Sequence, residues 1–183
     1  MITSAERVIE VNNASPQESA NRAYGLAEGA SNTKSTNGAG VPSTQSSVVL
    51  RVATLHDLAS LQHIEQTCFT TDRLSKSRFK FYIDAQHAEL IVAEREPSTS
   101  SSNLDKNKPS VNSIVGYGLL LLRRGTQLTR LYSIAVLPEA RGLGVAEKLI
   151  NSLGERALLR GKRFMRLEVA VGNAGAIALY KKL

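Results

Sequence analysis

The stretch L-Y-S-I-A-V-L-P-E-A-R-G-L-G-V-A-E, residues 131–147, joins an apolar strand to an amphipathic helix through a turn with two glycines. Such a turn leaves the backbone N–H groups at the helix start uncovered by side chains, and these groups favour an anion, usually a phosphate. The spacing is not that of a P-loop, because no lysine follows Gly144, and not G-x-G-x-x-G, because Glu147 stands at the last glycine position. The stretch therefore indicates either an anion site or a bare glycine-containing helix start.

Composition divides the 183-residue chain at about residue 48. Residues 1–47 are dominated by Ser, Asn, Ala, Thr and Gly, and we expect a disordered tail there, with a short helix over residues 3–11 as its one ordered element. Residues 48–183 carry the apolar patterning of one domain. The single cysteine, Cys68, excludes an internal disulfide and is typical of a reducing compartment, so we expect a cytoplasmic protein without a membrane-spanning segment.

The net charge of +7 is uneven along the chain. Residues 1–47 hold three basic and four acidic side chains, so the remaining residues hold 20 basic and 12 acidic ones. A basic domain favours anionic partners such as a nucleotide-like cofactor or nucleic acid. Aromatic-interleaved basic motifs and zinc-finger spacing are absent from the sequence, so a nucleic-acid partner is supported by charge alone. The histidines form no ligand pattern, and we predict no metal site.

Hydrophobic periodicity alternates between strand and helix spacing, which predicts an α/β fold with one central mixed sheet flanked by helices. The predicted strands cover residues 48–53, 90–94, 114–122, 128–137 and 163–171. The predicted helices cover residues 55–68, a stretch capped by Ser75, residues 142–160, and a last stretch capped by Asn173. Residues 97–112 are polar and are interpreted as a long hairpin loop or an insertion.

Four residues within this pattern could carry chemistry. Glu168 lies in the middle of an apolar strand, where a carboxylate must be solvated, functional or paired, for example with Arg166. Taken alone, its position favours the salt bridge. Tyr180 has the spacing of a core tyrosine, Asn173 that of a helix cap that needs no ligand, and Cys68 that of a buried, inert thiol.

Together these residues resemble the GNAT superfamily of N-acetyltransferases, and most of all its bacterial ribosomal-protein-alanine N-acetyltransferase branch. Residues 141–146, R-G-L-G-V-A, match the acetyl-CoA signature R/Q-x-x-G-x-G/A. Residues 167–180, L-E-V-A-V-G-N-A-G-A-I-A-L-Y, match the second half of the family pattern. The resemblance covers residues 48–183 apart from 97–112. Members of the family continue beyond the position of Leu183 into two further strands. The resemblance therefore implies a domain that is incomplete at its C-terminus and lacks the last strands.

The resemblance implies acetyl-CoA as co-substrate and direct acetyl transfer to a primary amine, here a protein N-terminus. Glu168 would be the general base, acting through water, and Tyr180 the general acid for the departing thiolate. The implied cofactor-binding residues are Ile134, Ala135, Val136, Arg141, Gly142, Leu143, Gly144, Val145, Ala146, Glu147 and Asn173. Two alternatives stay open: a small-molecule amine as acceptor, and a CoA-binding module or fragment without turnover.

Overall fold

The computed structural model describes residues 6–12 (backbone), 47–96, 114–170 and 172–182. They form one six-stranded sheet with helices on both faces, which confirms the predicted α/β class. The strands are β1 (Glu6–Asn12), β2 (Val48–Val52), β3 (Ala88–Arg95), β4 (Ile114–Leu122), β5 (Leu128–Val136) and β6 (Phe164–Ala170). The helices are α1 (Leu58–Cys68), α2 (Lys76–Asp84), α3 (Val145–Leu159) and α4 (Ala174–Lys182).

The strand order is β1-β6-β5-β4-β3-β2, and β5 and β6 are parallel while the other neighbours are antiparallel. A parallel pair needs a crossover connection, and α3 supplies it. Two hydrophobic clusters lie on opposite faces of the sheet: α3 and α4 contribute to one, α1 and α2 to the other. Close contact between α3 and β4 depends on Gly118, where an added Cβ would lie 2.8 Å from the Leu153 side chain.

Two helix starts differ from the prediction. The helix expected over residues 55–68 begins as a 3-10 turn, Leu55–Asp57, before α1. The helix expected from residue 142 begins at Val145, because Gly142 and Gly144 have φ angles of 78° and 74° and cannot be part of a right-handed helix. The predicted cap at Ser75 is confirmed, since its side chain accepts a hydrogen bond from the Arg78 N–H.

The N-terminal segment differs from the prediction at Glu6–Asn12. These residues are a strand, β1, which pairs antiparallel with β6 along its whole length, where a short helix within a disordered tail was expected. The sequence E-R-V-I-E-V-N is rich in β-branched residues, and the free edge of β6 offers backbone partners to it. The rest of the predicted tail and the polar segment 97–112 lie outside the described residues.

An irregularity in β5 shapes the site. Leu119 of β4 pairs with Ser133 and Leu120 with Leu131, so Tyr132 is the extra residue of a β-bulge. On its other edge β5 pairs with β6 from Leu128 to Leu131, and the pairing ends there with Leu167. Beyond this point the two parallel strands are not hydrogen-bonded to each other. We call the gap between residues 132–136 of β5 and residues 168–170 of β6 the cleft.

Candidate active site

The turn before α3 forms a cradle of backbone N–H groups. Gly144 is the N-cap residue, and no side chain caps the helix there. The first helical hydrogen bond runs from the Lys148 N–H to the Gly144 carbonyl, 3.0 Å away, so the N–H groups of residues 145–147 have no helical acceptor. A Cβ added at Gly142 or Gly144 would meet nothing within 4 Å. The cradle is therefore open, and its unpaired donors and helix dipole suit a phosphate.

The cradle is tied to the end of β5 through one carbonyl group. Arg141 donates from Nε to the Val136 carbonyl oxygen at 3.1 Å, and the Cys68 thiol donates to the same oxygen at 3.5 Å. Arg141, predicted as a cofactor ligand, thus also positions the turn. Burial raises the pKa of Cys68 despite the hydrogen bond with Arg141, so the thiol stays protonated at neutral pH, as an inert cysteine does.

The three predicted ligands on β5, Ile134, Ala135 and Val136, follow the bulge. One edge of this segment pairs with β4, while the edge toward β6 has no partner strand beyond Leu131. Because strand backbone groups point alternately to the two edges, part of the segment's N–H and C=O groups faces the cleft. An extended ligand placed there can bind as an additional strand would.

Glu168 is the first residue of β6 beyond its pairing with β5. Its carboxylate accepts from Arg130 Nη2 at 2.7 Å and lies 3.6 Å from Arg166 Nη2, and its side chain is 21% exposed. The salt bridge that its position favours is present, with Arg130 as the nearer partner. Glu168 also lines a cavity of about 340 Å³ together with Leu121, Leu122, Arg123, Leu128, Thr129, Arg130 and Arg166.

Tyr180 lies on α4 and is 8% exposed. It belongs to the same cluster as Met165, Leu167 and Val169, so it packs on the face of β6 opposite to Glu168. No hydrogen bond joins the two residues in the described part of the chain. Burial raises the pKa of the Tyr180 hydroxyl, which therefore stays protonated at neutral pH and can donate a proton.

Asn173 caps the start of α4, and Lys182 near its end connects the helix to the cradle. Asn173 caps the helix, as predicted, by accepting a hydrogen bond from the Ala176 N–H at 3.1 Å. Lys182 Nζ lies 3.2 Å from the carboxylate of Glu147, in the first turn of α3. Glu147 is therefore neutralised by a cation, which lowers its repulsion of an anion at the cradle.

A buried chain of polar groups was not found from the sequence. The Tyr117 hydroxyl donates to the carboxylate of Glu65, which is 2% exposed, and lies 2.7 Å from the Ser133 hydroxyl. Glu65 also accepts from the Leu74 N–H at 2.9 Å. Burial and the Glu65 carboxylate raise the pKa of Tyr117 far above its usual value. One signal was available: Glu65 stands four residues after Leu61, on the apolar face of α1.

A second missed feature is a set of arginines and tyrosines on the Glu168 side of the sheet. The rings of Tyr82 and Tyr132 are 5.9 Å apart, and the guanidinium group of Arg130 lies 5.7 Å from the Tyr132 ring centroid. Arg78 donates to the hydroxyls of Tyr82 and Tyr132 at 3.3 and 3.5 Å. We call Arg78, Tyr82, Arg130, Tyr132 and Arg166 the arginine–tyrosine surface.

Two further observations concern other classes of site. Within residues 47–96, 114–170 and 172–182, no group of three or more His, Cys, Asp or Glu side chains could hold a metal ion. His56, His63 and His87 are all exposed. None of the helices described is both long and apolar enough to cross a bilayer.

Comparison with known proteins gives one family and several relatives. The sequence profile of the acetyltransferase (GNAT) family matches residues 58–183. A candidate ribosomal protein bS18-alanine N-acetyltransferase of Bacillus subtilis is 28% identical over 129 residues, which cover 70% of this chain and 74% of that protein. Thialysine N-epsilon-acetyltransferase of Mus musculus is 40% identical over 99 residues, which cover 52% of this chain and 51% of that protein.

Solved structures show the same fold. The PaiA N-acetyltransferase of Thermoplasma acidophilum, in complex with coenzyme A, superposes with a TM-score of 0.60 at 14% identity, over 74% of this chain and 87% of that one. The residues matched in each case span 25% of an N-acetyltransferase of Methanocaldococcus jannaschii, 74% of the Bacillus subtilis protein and about half of the thialysine acetyltransferases. The chain therefore matches only part of the length of these relatives.

Proposed function

This chain belongs to the acetyltransferase (GNAT) family, and from that premise we propose that it transfers an acetyl group from acetyl-CoA to a primary amine, at a protein N-terminus. The observation that carries the proposal is the open N–H cradle at the start of α3, placed directly after a strand whose edge faces the cleft. These two features suit the two parts of one ligand: a pyrophosphate and an extended arm with amide groups.

Each predicted cofactor residue has a role in this proposal. The N–H groups of Val145, Ala146 and Glu147 bind the pyrophosphate, and the glycines at 142 and 144 allow its close approach. Leu143, whose side chain is exposed in the turn, offers an apolar contact to the ligand, and Arg141 holds the turn against β5. The backbone of residues 134–136 binds the pantetheine arm, and Asn173 contacts that arm beside its capping bond. Bound acetyl-CoA supplies a thioester as the acetyl donor.

Acid–base chemistry is assigned to Glu168, beside the cleft on β6, and to Tyr180 on α4. Glu168 takes the proton of the acceptor ammonium through a water molecule, and the neutral amine then attacks the thioester carbonyl. A strand N–H group stabilises the oxyanion, the C–N bond forms and the C–S bond breaks. Tyr180 gives its proton to the leaving thiolate, and the second proton of the attacking nitrogen, lost as the amide forms, passes through solvent to restore the Tyr180 hydroxyl. This role requires Tyr180 to act across β6, because its packing places it on the face opposite to Glu168.

The choice of acceptor rests on the relatives. The Bacillus subtilis relative supports a protein N-terminus, as on ribosomal protein bS18, and its match covers most of both chains. A small-molecule amine is the second candidate, supported by the thialysine acetyltransferases, which match half of their length. The single cysteine supports a reducing, cytoplasmic location.

Calorimetric titration of the purified chain with acetyl-CoA tests the cofactor. A folded sample that gives no binding heat would overturn the proposal. Thiol release is then measured against N-terminal peptides and against small amines, with N-acetylated peptides as the control for hydrolysis. Release with a mass gain of one acetyl group on the peptide supports the N-terminal acceptor. Release with small amines alone replaces that acceptor, and binding without any release identifies a CoA-binding module without turnover.

A further inference from the structure

The arginine–tyrosine surface lies on the same side of the sheet as the Glu168 carboxylate. Arg130 and Arg166 are direct partners in the parallel pairing of β5 and β6, so their side chains project on the same face. Their side chains are 50% and 42% exposed, and both reach the carboxylate of Glu168. Two adjacent guanidinium groups therefore already hold one carboxylate at this point of the molecule.

The charge of this region is positive. The described residues that line the cavity include the three arginines Arg123, Arg130 and Arg166, and one acid, Glu168. Arg78 adds a further guanidinium group, whose hydrogen-bond partners are the two phenol oxygens of Tyr82 and Tyr132. Among the described residues no carboxylate pairs with Arg78. The surface can therefore accept a second carboxylate, and it repels a cationic group beyond the amine itself.

The pairing of Glu168 has a consequence for the proposed base. Both oxygens of the Glu168 carboxylate face guanidinium groups, one at 2.7 Å from Arg130 and the other at 3.6 Å from Arg166, so part of the positions that could bind a water molecule or an ammonium group is occupied. A carboxylate on the acceptor can replace Glu168 at the guanidinium groups, because Arg binds carboxylates in a planar, forked geometry. The exchange would free Glu168 at the moment the acceptor arrives.

We propose that the acceptor carries a carboxylate close to its amine, and that this carboxylate binds Arg130 and Arg166 in exchange for Glu168. The inference rests on the proposed acetyl transfer and specifies its substrate. Two sources have the required chemistry: a peptide N-terminus followed by Asp or Glu, and a free amino acid with its own carboxylate. The ring of Tyr132, which is 36% exposed and packs 5.9 Å from the buried ring of Tyr82, continues the surface and provides a wall for the following peptide group.

The test uses the full chain and three peptides of equal length that differ at positions two and three, which are Glu, Gln or Lys. Thialysine and its carboxamide represent the free amino acid. We expect kcat/KM for the Glu peptide to exceed that for the Gln peptide about 10-fold, with the Lys peptide lowest. A preference for thialysine over its carboxamide, without a peptide preference, identifies the free amino acid as the source. The inference is overturned if kcat/KM for the Gln and Lys peptides equals or exceeds that for the Glu peptide and kcat/KM for the carboxamide equals or exceeds that for thialysine.

Arg130→Gln provides the decisive comparison. It should bring the ratio of kcat/KM for the Glu peptide to kcat/KM for the Gln peptide toward one, because the guanidinium group nearer to the carboxylate is lost. General misfolding lowers both values by the same factor and leaves their ratio unchanged. Arg124→Gln is the matched control, since Arg124 is exposed in the turn after β4 and does not line the cavity. A preference that survives in both Arg130→Gln and Arg166→Gln contradicts the inference.

A binding measurement separates this inference from the proposed function. The Glu and Gln peptides, N-acetylated and fluorescently labelled, are titrated with the chain in the presence of CoA. Tighter binding of the Glu peptide that is lost in Arg130→Gln supports the carboxylate site even where no acetyl transfer occurs, in which case only the proposed activity fails. Equal binding of both peptides overturns the carboxylate site, whatever the turnover.

Discussion

The two ends of the cleft differ in the groups that they offer to a ligand: backbone groups at one end and side chains at the other. At the proposed cofactor end, the available groups are the backbone N–H groups of residues 145–147 and the unpaired edge of β5. At the proposed acceptor end, the available groups are side chains of α2, β5 and β6, including Arg130, Arg166 and Glu168. Backbone groups recognise a ligand shared by a whole family, whereas side chains can change from one protein to the next without altering the fold. The first end therefore suits an invariant cofactor and the second a specific acceptor.

This difference makes a general prediction about substitutions. A change at the cofactor end should alter the affinity for acetyl-CoA and affect all acceptors alike. A change at the acceptor end should leave that affinity as it is and alter turnover, by an amount that depends on the acceptor. The four substitutions below test this separation.

The largest expected effect is that of Glu168→Gln. Loss of the proposed general base should lower kcat about 100-fold at neutral pH, while the Kd for acetyl-CoA stays within about twofold of the original value. Steady-state kinetics and calorimetry measure the two quantities on the same sample. Glu155→Gln, on the exposed face of α3, is the matched control. Unchanged kcat in Glu168→Gln would leave the salt bridge with Arg130 as the residue's whole role.

The sequence predicted the strand, turn and helix of the proposed cofactor end because these elements follow one another in the chain. Most of β5, the two glycines of the turn and the first residues of α3 lie within residues 131–147. The prediction for this region was wrong in placing the helix start at residue 142. Helical periodicity does not indicate the left-handed backbone conformation of Gly142 and Gly144. Most strands were predicted to within two residues at each end for the same reason, since a period of two is a local signal.

At the acceptor end the sequence indicated only Glu168 and its possible partner Arg166, because the other contacts join residues that are distant in sequence. Arg78 and Tyr132 are 54 residues apart, and Arg130 and Glu168 are 38 apart. The register between β5 and β6, which brings Arg130 next to Arg166, depends on how α3 packs on the sheet. The pairing of β1 with β6 is more distant still, and its short strand lies in a segment whose composition resembles a disordered tail. Composition reports averages and does not detect a single seven-residue strand.

At the cofactor end, Gly144→Ala should weaken acetyl-CoA binding about 10-fold. The residue has a φ of 74°, where a side chain costs about 1–2 kcal/mol, and relief of that strain would move the N–H groups that follow it. Gly161→Ala is the control, because Gly161 has a φ of 71° at the opposite end of α3. Both variants should unfold at a lower temperature, and Gly144→Ala alone should lose affinity. Equal affinities would mean that the turn is a bare helix start.

Tyr180→Phe should have a smaller effect on kcat, about 10-fold. The thiol of CoA resembles a cysteine thiol, with a pKa of about 8.5, so its thiolate is a weak base that leaves with little help. Because burial raises the pKa of Tyr180, the hydroxyl should stay protonated and the wild-type rate should not fall as pH rises toward about 10. Kinetics over this range measure both effects. A variant as fast as the wild type would show that Tyr180 is a core residue, as its packing alone suggests.

Substitution of Asp57 should have the smallest effect on activity, because this residue belongs to neither end of the cleft. Burial opposes its ionisation, but hydrogen bonds from Arg51 and Thr54 outweigh burial and hold the pKa of Asp57 below its usual value. The unfolded chain therefore binds a proton at higher pH than the folded one does. The stability that Asp57 contributes is complete above its unfolded pKa of about 3.9 and is lost as pH falls through the folded pKa.

The melting temperature should thus be constant from about pH 5 to 8 and fall in more acidic solution. Asp57→Asn should lower the free energy of unfolding by about 2 kcal/mol at neutral pH and reduce the acid-dependent loss. A decline of kcat/KM between about pH 8 and 5 at constant melting temperature must then arise from local chemistry, such as protonation of the acceptor amine, and not from unfolding. A melting temperature that declines together with activity would remove this distinction, since local chemistry and global unfolding would share one pH profile.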